Sequence, residues 1–183
     1  MIYPLNWKEI PSITQIGSKA KSLMETTRAG FLVPLGFILS VDFFEPWNTH
    51  ITSSGEWRRL LQSTSPETCA AVQEAARKLH FSPVQRAALE KQLSGVPQNT
   101  CFAVRSSAPE EDLAIASFAG QYETILGVTI ANLEESIAKA FSSMFDLRVF
   151  EYKRKKNLPV DHPRIALIVQ RMVNSEVSGV AFS

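Results

Sequence analysis

Cysteine is scarce: Cys69 and Cys101 are the only two in 183 residues, far apart and in no metal-ligand spacing. That scarcity argues against a disulfide framework and fits a reduced, cytoplasmic protein. His50, His80 and His162 share no motif spacing with cysteines or acids, so a zinc site is not expected. An excess of charge is missing too, with 19 basic against 18 acidic residues. This near balance excludes a nucleic-acid binder that relies on bulk charge, although it leaves room for a local cationic pocket. No long apolar run opens or interrupts the chain, so neither a signal peptide nor a membrane partner is expected. Internal repeats and low-complexity tracts are absent. So are the G-x-x-x-x-G-K-[ST] and G-x-G-x-x-G loops that mark the common phosphate-binding turns.

What is present is a globular composition, 45% hydrophobic, in a length that suits one domain or two small lobes. Residues 1–14 read as an irregular lead-in broken by Pro4 and Pro11, and residues 19–29 as a helix with Gly30 as its C-cap. Residues 31–40 form a strand candidate interrupted by Pro34 and Gly36, and residues 41–47 a short helix ending near Pro46, with 49–55 as loop. Helices are expected over 56–62, over 66–80 and from Ser82-Pro83 to Leu93, the last two by the serine-then-proline start signal. This region, 45–98, reads as a small helical insert without evident chemistry. Strands at 101–104 and 125–128 flank a polar loop. Helices follow from Asn132, the expected N-cap, and over 146–156, whose Lys153-Arg-Lys-Lys156 end reads as solvated. Residues 164–173 form a strand apolar on both faces, and 177–182 a partner strand in which the chain stops. That stop reads as a truncation of a longer protein. The fold class is α+β, with a mixed or antiparallel sheet and flanking helices.

Two polar places stand out. Gly17-Ser18-Lys19 falls at a helix N-terminus, where backbone N–H groups and the helix dipole favour an anion. Arg105 opens the loop Arg105–Thr124, which carries three serines, three consecutive acids and a lone Gly120. A lysine point charge and a planar arginine fork form a natural pair for a polyphosphate. Ser106, Ser107, Ser117 and Thr124 would add short donors, and Gly120 would allow close backbone approach. The residues leave two readings open: a nucleotide phosphate site, or a capped helix beside a polar hairpin in which Arg105 pairs with Glu111 or Asp112. The run Glu110-Glu111-Asp112 could hold a cation but reads as solvated, and no Ser/His/Asp grouping emerges.

Three blocks carry a resemblance. Ile16-Gly-Ser-Lys-Ala-Lys-Ser-Leu23 with Thr27-Arg-Ala-Gly-Phe-Leu-Val-Pro-Leu-Gly-Phe37 is similar to G-G-K-G-A-N-L…A-G-x-P-V-P-P-G-F. Val104-Arg-Ser-Ser-Ala-Pro-Glu-Glu-Asp-Leu with Ala116-Ser-Phe-Ala-Gly-Gln-Tyr-Glu-Thr124 is similar to V-R-S-S-A-T-x-E-D-L-P-x-A-S-F-A-G-Q-Q-E-T. Val169-Gln-Arg-Met-Val173 with Ser178-Gly-Val-Ala-Phe182 is similar to V-Q-x-M-V…S-G-V-x-F. These blocks resemble the N-terminal nucleotide-binding region of the phosphoenolpyruvate synthase and pyruvate phosphate dikinase family, over residues 16–183. The resemblance implies the N-terminal lobe of an ATP-grasp site, with an incomplete second lobe. It implies that Lys19 and Arg105 bind phosphate, that Gly120 and Thr124 belong to a flap, and that Gln170 lies near adenine and ribose. It further implies ATP and Mg²⁺ as cofactors, with the metal ligands outside this chain, and missing phosphohistidine and acceptor-substrate domains. A dikinase passing phosphoryl to pyruvate, a rifamycin-type antibiotic phosphotransferase and a non-catalytic nucleotide-binding module all stay open. Ser18, Lys21, Ser22, Leu35 and Tyr122 depart from the pattern.

Overall fold

A computed structural model describes residues 1–109, 123–177 and 179. The elements run β1 (Ile2–Pro4), α1 (Ile13–Arg28), β2 (Gly36–Leu39), a 3₁₀ turn (Val41–Phe44), α2 (Glu45–Thr52), α3 (Gly55–Gln62), α4 (Pro66–Arg77) and α5 (Pro83–Leu93). They continue as β3 (Phe102–Ser107), β4 (Thr124–Val128), α6 (Leu133–Ser142), a 3₁₀ turn (Ser143–Phe145), α7 (Leu147–Lys155) and β5 (Ala166–Arg171). The strands described form one sheet of order β1-β2-β5-β3-β4, and every neighbouring pair is antiparallel. The α+β class holds, and the arrangement is that of an ATP-grasp-like N-terminal lobe. Among the described residues, no helix is long and apolar enough to cross a membrane.

The period-two alternation of the strands divides the core into two layers. Phe37, Leu39, Phe102, Val104, Leu167 and Val169 pack with residues of α2 to α6, among them Trp47, Leu60, Val72, Ile137 and Phe141. Trp47 stacks on Phe81 with centroids 5.1 Å apart, and its indole N–H donates to the His80 carbonyl at 3.0 Å. The helices of 45–98 therefore share a core with the sheet. On the opposite face, Ile38, Ala166 and Ile168 meet Ile16, Ala20 and Met24 of α1. Helices on both faces explain why β5 is buried along almost its whole length and reads as an unbroken apolar run.

Several elements differ from the sequence reading for identifiable reasons. The lead-in is ordered: β1 pairs with β2, and α1 starts at Ile13 behind a Ser12 capping box with Gln15. The strand expected over 31–40 shrinks to Gly36–Leu39. Its first residue belongs to the turn after α1, where the Phe31 N–H donates to the Thr26 carbonyl at 3.3 Å, and the side chains of Phe31, Leu32 and Leu35 are exposed. Pro46 begins α2 rather than ending a helix, since a first-turn proline has no intrahelical N–H bond to lose, and α2 takes in Thr49–Thr52. Asn132 precedes α6 but spends its Oδ1 on the Thr129 N–H and hydroxyl, at 2.7 and 2.9 Å. Lys153 is not solvated: it is 6% exposed, on the buried side of α7 with Val149 and Phe150. Its long stem packs inward where its helical neighbours are apolar. Gly30, at φ 86°, closes α1 in a Schellman turn: its N–H donates to the Thr27 carbonyl and the Phe31 N–H to the Thr26 carbonyl. The strand expected over 177–182 lies largely outside the described residues.

Candidate functional site

The site begins at a break in α1. Gly17 has φ 73° and ψ 166°, a backbone state that side chains disfavour, so the helix restarts after it. Ser18 and Lys19 therefore stand in a first turn, as their sequence suggests. A second constraint fixes the glycine. A Cβ at position 17 would lie 2.2 Å from the backbone oxygen of Ser107 and 2.5 Å from its Oγ. The restart of α1 is pressed directly against the end of β3.

Ser107 is fully buried, and its hydroxyl donates to the Ile16 carbonyl at 2.8 Å while accepting from the Ala20 N–H at 3.0 Å. The expectation that the serines after Arg105 supply donors to a phosphate is corrected here. Ser107 is committed to α1, and Ser106, also buried, alternates to the opposite face of β3. The Ser18 hydroxyl is buried and, among the described residues, has no hydrogen-bond partner.

Arg105 is not at the mouth of a strand but inside β3, opposite Thr124 on β4 and Ile168 on β5. Ile168 packs on α1, so Arg105, Thr124 and Ser107 share the face that α1 occupies. Gln170 joins them. Its Nε2 donates to the Pro34 carbonyl at 3.2 Å, which aims its Oε1 at the Arg105 Nη1, 3.4 Å away. Gln170 is only 7% exposed. It is seated on the backbone of residues 31–36, where Gly36 is its register partner. A Cβ on Gly36 would meet the Val169 oxygen at 2.4 Å and the Gln170 Cα at 2.8 Å, so glycine sets how closely β2 approaches β5. Gln170 orients the guanidinium, and a half-buried Arg105 keeps further donors for a ligand.

Of the residues singled out from sequence, Arg105, Thr124 and Gln170 come together on one sheet face, and Lys19 is half-buried on the helix restart that Ser107 ties to it. Gly120, Ser117, Glu110, Glu111 and Asp112 lie outside the described residues. The structuring roles of Gly17, Ser107 and Gly36 were missed. The one available signal was a glycine directly before Ser-Lys at a helix start, where a capping side chain is usual.

Among the described residues, a five-stranded antiparallel sheet with helices on both faces, and with Arg105 on the face tied to a helix start, has the architecture of an ATP-grasp-like N-terminal lobe. The comparison with known families narrows this. The pattern of the pyruvate phosphate dikinase AMP/ATP-binding domain matches residues 13–183, and the chain belongs to that family. Phosphoenolpyruvate synthase of Escherichia coli (strain K12) is 34% identical over 193 residues, spanning 93% of this chain and 24% of that protein. Rifampicin phosphotransferase of Streptomyces sviceus is 30% identical, spanning 99% of this chain and 22% of its own length. The uncharacterized phosphotransferase YvkC of Bacillus subtilis (strain 168) is 32% identical over the whole of this chain and 21% of its own. The chain thus spans less than a quarter of each of these relatives.

Proposed function

We propose that the chain supplies the phosphate-binding lobe of a dikinase-type phosphotransferase, which cleaves ATP to AMP and passes one phosphoryl group through a carrier histidine in a further domain to pyruvate. The observation that carries this reading is the shared face of Arg105, Gln170 and Thr124, tied through Ser107 to the helix turn that bears Lys19. Phosphoryl transfer asks a protein mainly for positioning and for charge placed against developing negative charge. Lys19 and Arg105 have the chemistry for both, a point charge on a helix start and a fork held by an amide. Thr124 is exposed at the first position of β4, on the face that carries Arg105. Magnesium, when bound, would supply positive charge against the phosphates. Among the described residues, no three His, Cys, Asp or Glu side chains come together as metal ligands, so no step is assigned to residues here through that ion.

An antibiotic as acceptor is a second reading, favoured by the similarity to rifampicin phosphotransferase along nearly the whole chain. The test uses the protein at its full gene length, with AMP formation followed by chromatography in the presence of pyruvate or a rifamycin. Lys19→Ala and Arg105→Ala should each lower AMP formation by on the order of a hundredfold or more with folding retained. Rates near wild type in either variant remove that residue from the mechanism. Turnover with a rifamycin and not with pyruvate selects the second reading.

A further inference from the structure

We infer that Ser107 is the N-cap of the Lys19-bearing helix, supplied from a distant strand, and that it positions Lys19 against Arg105. A helix start leaves N–H groups without intrahelical partners, and the residue before the first turn normally offers a side-chain oxygen to the second or third of them. Here Gly17 stands in that place and has no side chain. The acceptor for the third N–H, that of Ala20, is the Ser107 Oγ at 3.0 Å, 87 positions away in sequence. The same hydroxyl donates to the Ile16 carbonyl at 2.8 Å, closing the other side of the break. One buried atom therefore stitches both lips of the kink to β3.

The absence of a side chain at 17 and the serine at 107 are one device. Any Cβ at 17 would overlap Ser107 itself, so a local cap and the close strand contact exclude each other. Ser107 lies two residues beyond Arg105 on β3 and on the same face. The strand that carries the arginine thus also fixes the turn that carries the lysine. Two cations from distant parts of the chain are held in register by two hydrogen bonds, without a contact between their own side chains being required. Ser107 is a positioning residue. It acts through Lys19.

The inference rests on the phosphate-binding reading for its consequence, but its geometry can be read separately. In the isotope-labelled chain, Ser107→Ala should speed hydrogen exchange at the Ala20 amide, while Ser107→Cys, a weaker donor and acceptor of similar shape, should give an intermediate rate. An unchanged Ala20 rate in Ser107→Ala overturns the cap. In the protein at full gene length, at a temperature where circular dichroism shows Ser107→Ala folded, AMP formation should fall roughly tenfold to a hundredfold. Ser107→Cys should recover part of it. The deciding measurement is a double-mutant cycle. In a Lys19→Arg background the Ser107→Ala loss should shrink sharply, because the group being positioned has already been moved. Equal losses in both backgrounds overturn the positioning role. If Ser107→Ala does not fold, the same cycle is run with Ser107→Cys. A wild-type protein that makes no AMP refutes the proposed function and leaves the amide-exchange result standing by itself.

Discussion

Replacing Glu134 tests how the helices of residues 66–93 are held on the sheet. Glu134 sits in the first turn of α6. Its Oε1 accepts from the Phe81 N–H at 2.8 Å and from Arg86 at 3.1 Å, and its Oε2 accepts from Arg86 at 2.8 Å. Phe81 is the ring stacked on Trp47, so one carboxylate pins the α4–α5 connection where the aromatic core begins. Glu134→Ala strands the N–H of a buried residue, at about 1.5–3 kcal/mol for a bond to a charged acceptor. The Arg86 pair is half-exposed and adds at most about 1 kcal/mol. The charge at the helix start adds about 0.3–1 kcal/mol. The expected loss is about 2–4 kcal/mol. Glu134→Gln keeps an oxygen for the Phe81 N–H and should lose only about 1 kcal/mol. Burial pushes the Glu134 carboxyl upward, but the Phe81 N–H and the Arg86 guanidinium outweigh it and hold the pKa below the usual range. A folded-state pKa below the unfolded one means a contribution that is complete above the unfolded value and lost as pH falls through the folded value. The wild-type advantage over Glu134→Gln should therefore fade below about pH 4. Urea unfolding followed by tryptophan fluorescence across pH measures all of this. A Glu134→Ala loss under 0.5 kcal/mol, equal losses in the two variants, or an advantage that grows on acidification would refute the reasoning.

Gly36→Ala should destabilise by about 1–3 kcal/mol, because the new methyl meets the Val169 backbone oxygen rather than a movable side chain. It should also weaken nucleotide binding through Gln170, and a variant as stable as wild type in thermal unfolding contradicts the close approach. Burial pushes the Cys69 thiol up to about 11, whereas Cys101 is exposed. Disulfide-exchange labelling of the folded chain at pH 8 should modify Cys101 alone, with Cys69 following only on unfolding. Equal labelling of both counts against the packing around Cys69.

Local rules recovered the elements that local chemistry decides. Ser82-Pro83 started α5, and the expected end at Leu93 matches, because a capping box and a first-turn proline act within four residues. The apolar run before Arg171 identified β5, because burial on both faces leaves an unbroken signature. Other features depended on partners far away in sequence. β1 has three residues, and it exists through pairing with β2 rather than through any pattern of its own. Pro46 could be read as an end or a start, because proline breaks a helix interior but is tolerated in a first turn, where it stands here. At the site, residue type identified Arg105 and Lys19 as cations suited to phosphate, but nothing near Ser107 announces that its hydroxyl is spent on a helix nearly ninety residues earlier. Gln170 was singled out by resemblance alone, and the anchoring of its amide on Pro34 and its turn toward Arg105 involve partners 136 and 65 positions away.

The strand order has a consequence for how the chain is made. β5 is the last described strand in sequence, yet it lies in the middle of the sheet, between β2 and β3. While the ribosome has delivered only the first 165 residues, β1–β2 and β3–β4 can pair within themselves but not with each other. Each pair then presents an open edge and an apolar face, the circumstance in which nascent chains associate wrongly. Closure waits for six residues, Ala166–Arg171, whose pairing with Gly36–Leu39 spans most of the chain and is slow to find for that reason. Those six residues also deliver Gln170 to Arg105. The lobe therefore acquires its central strand and its oriented arginine in the same late event, and nascent chains stalled short of β5 have neither.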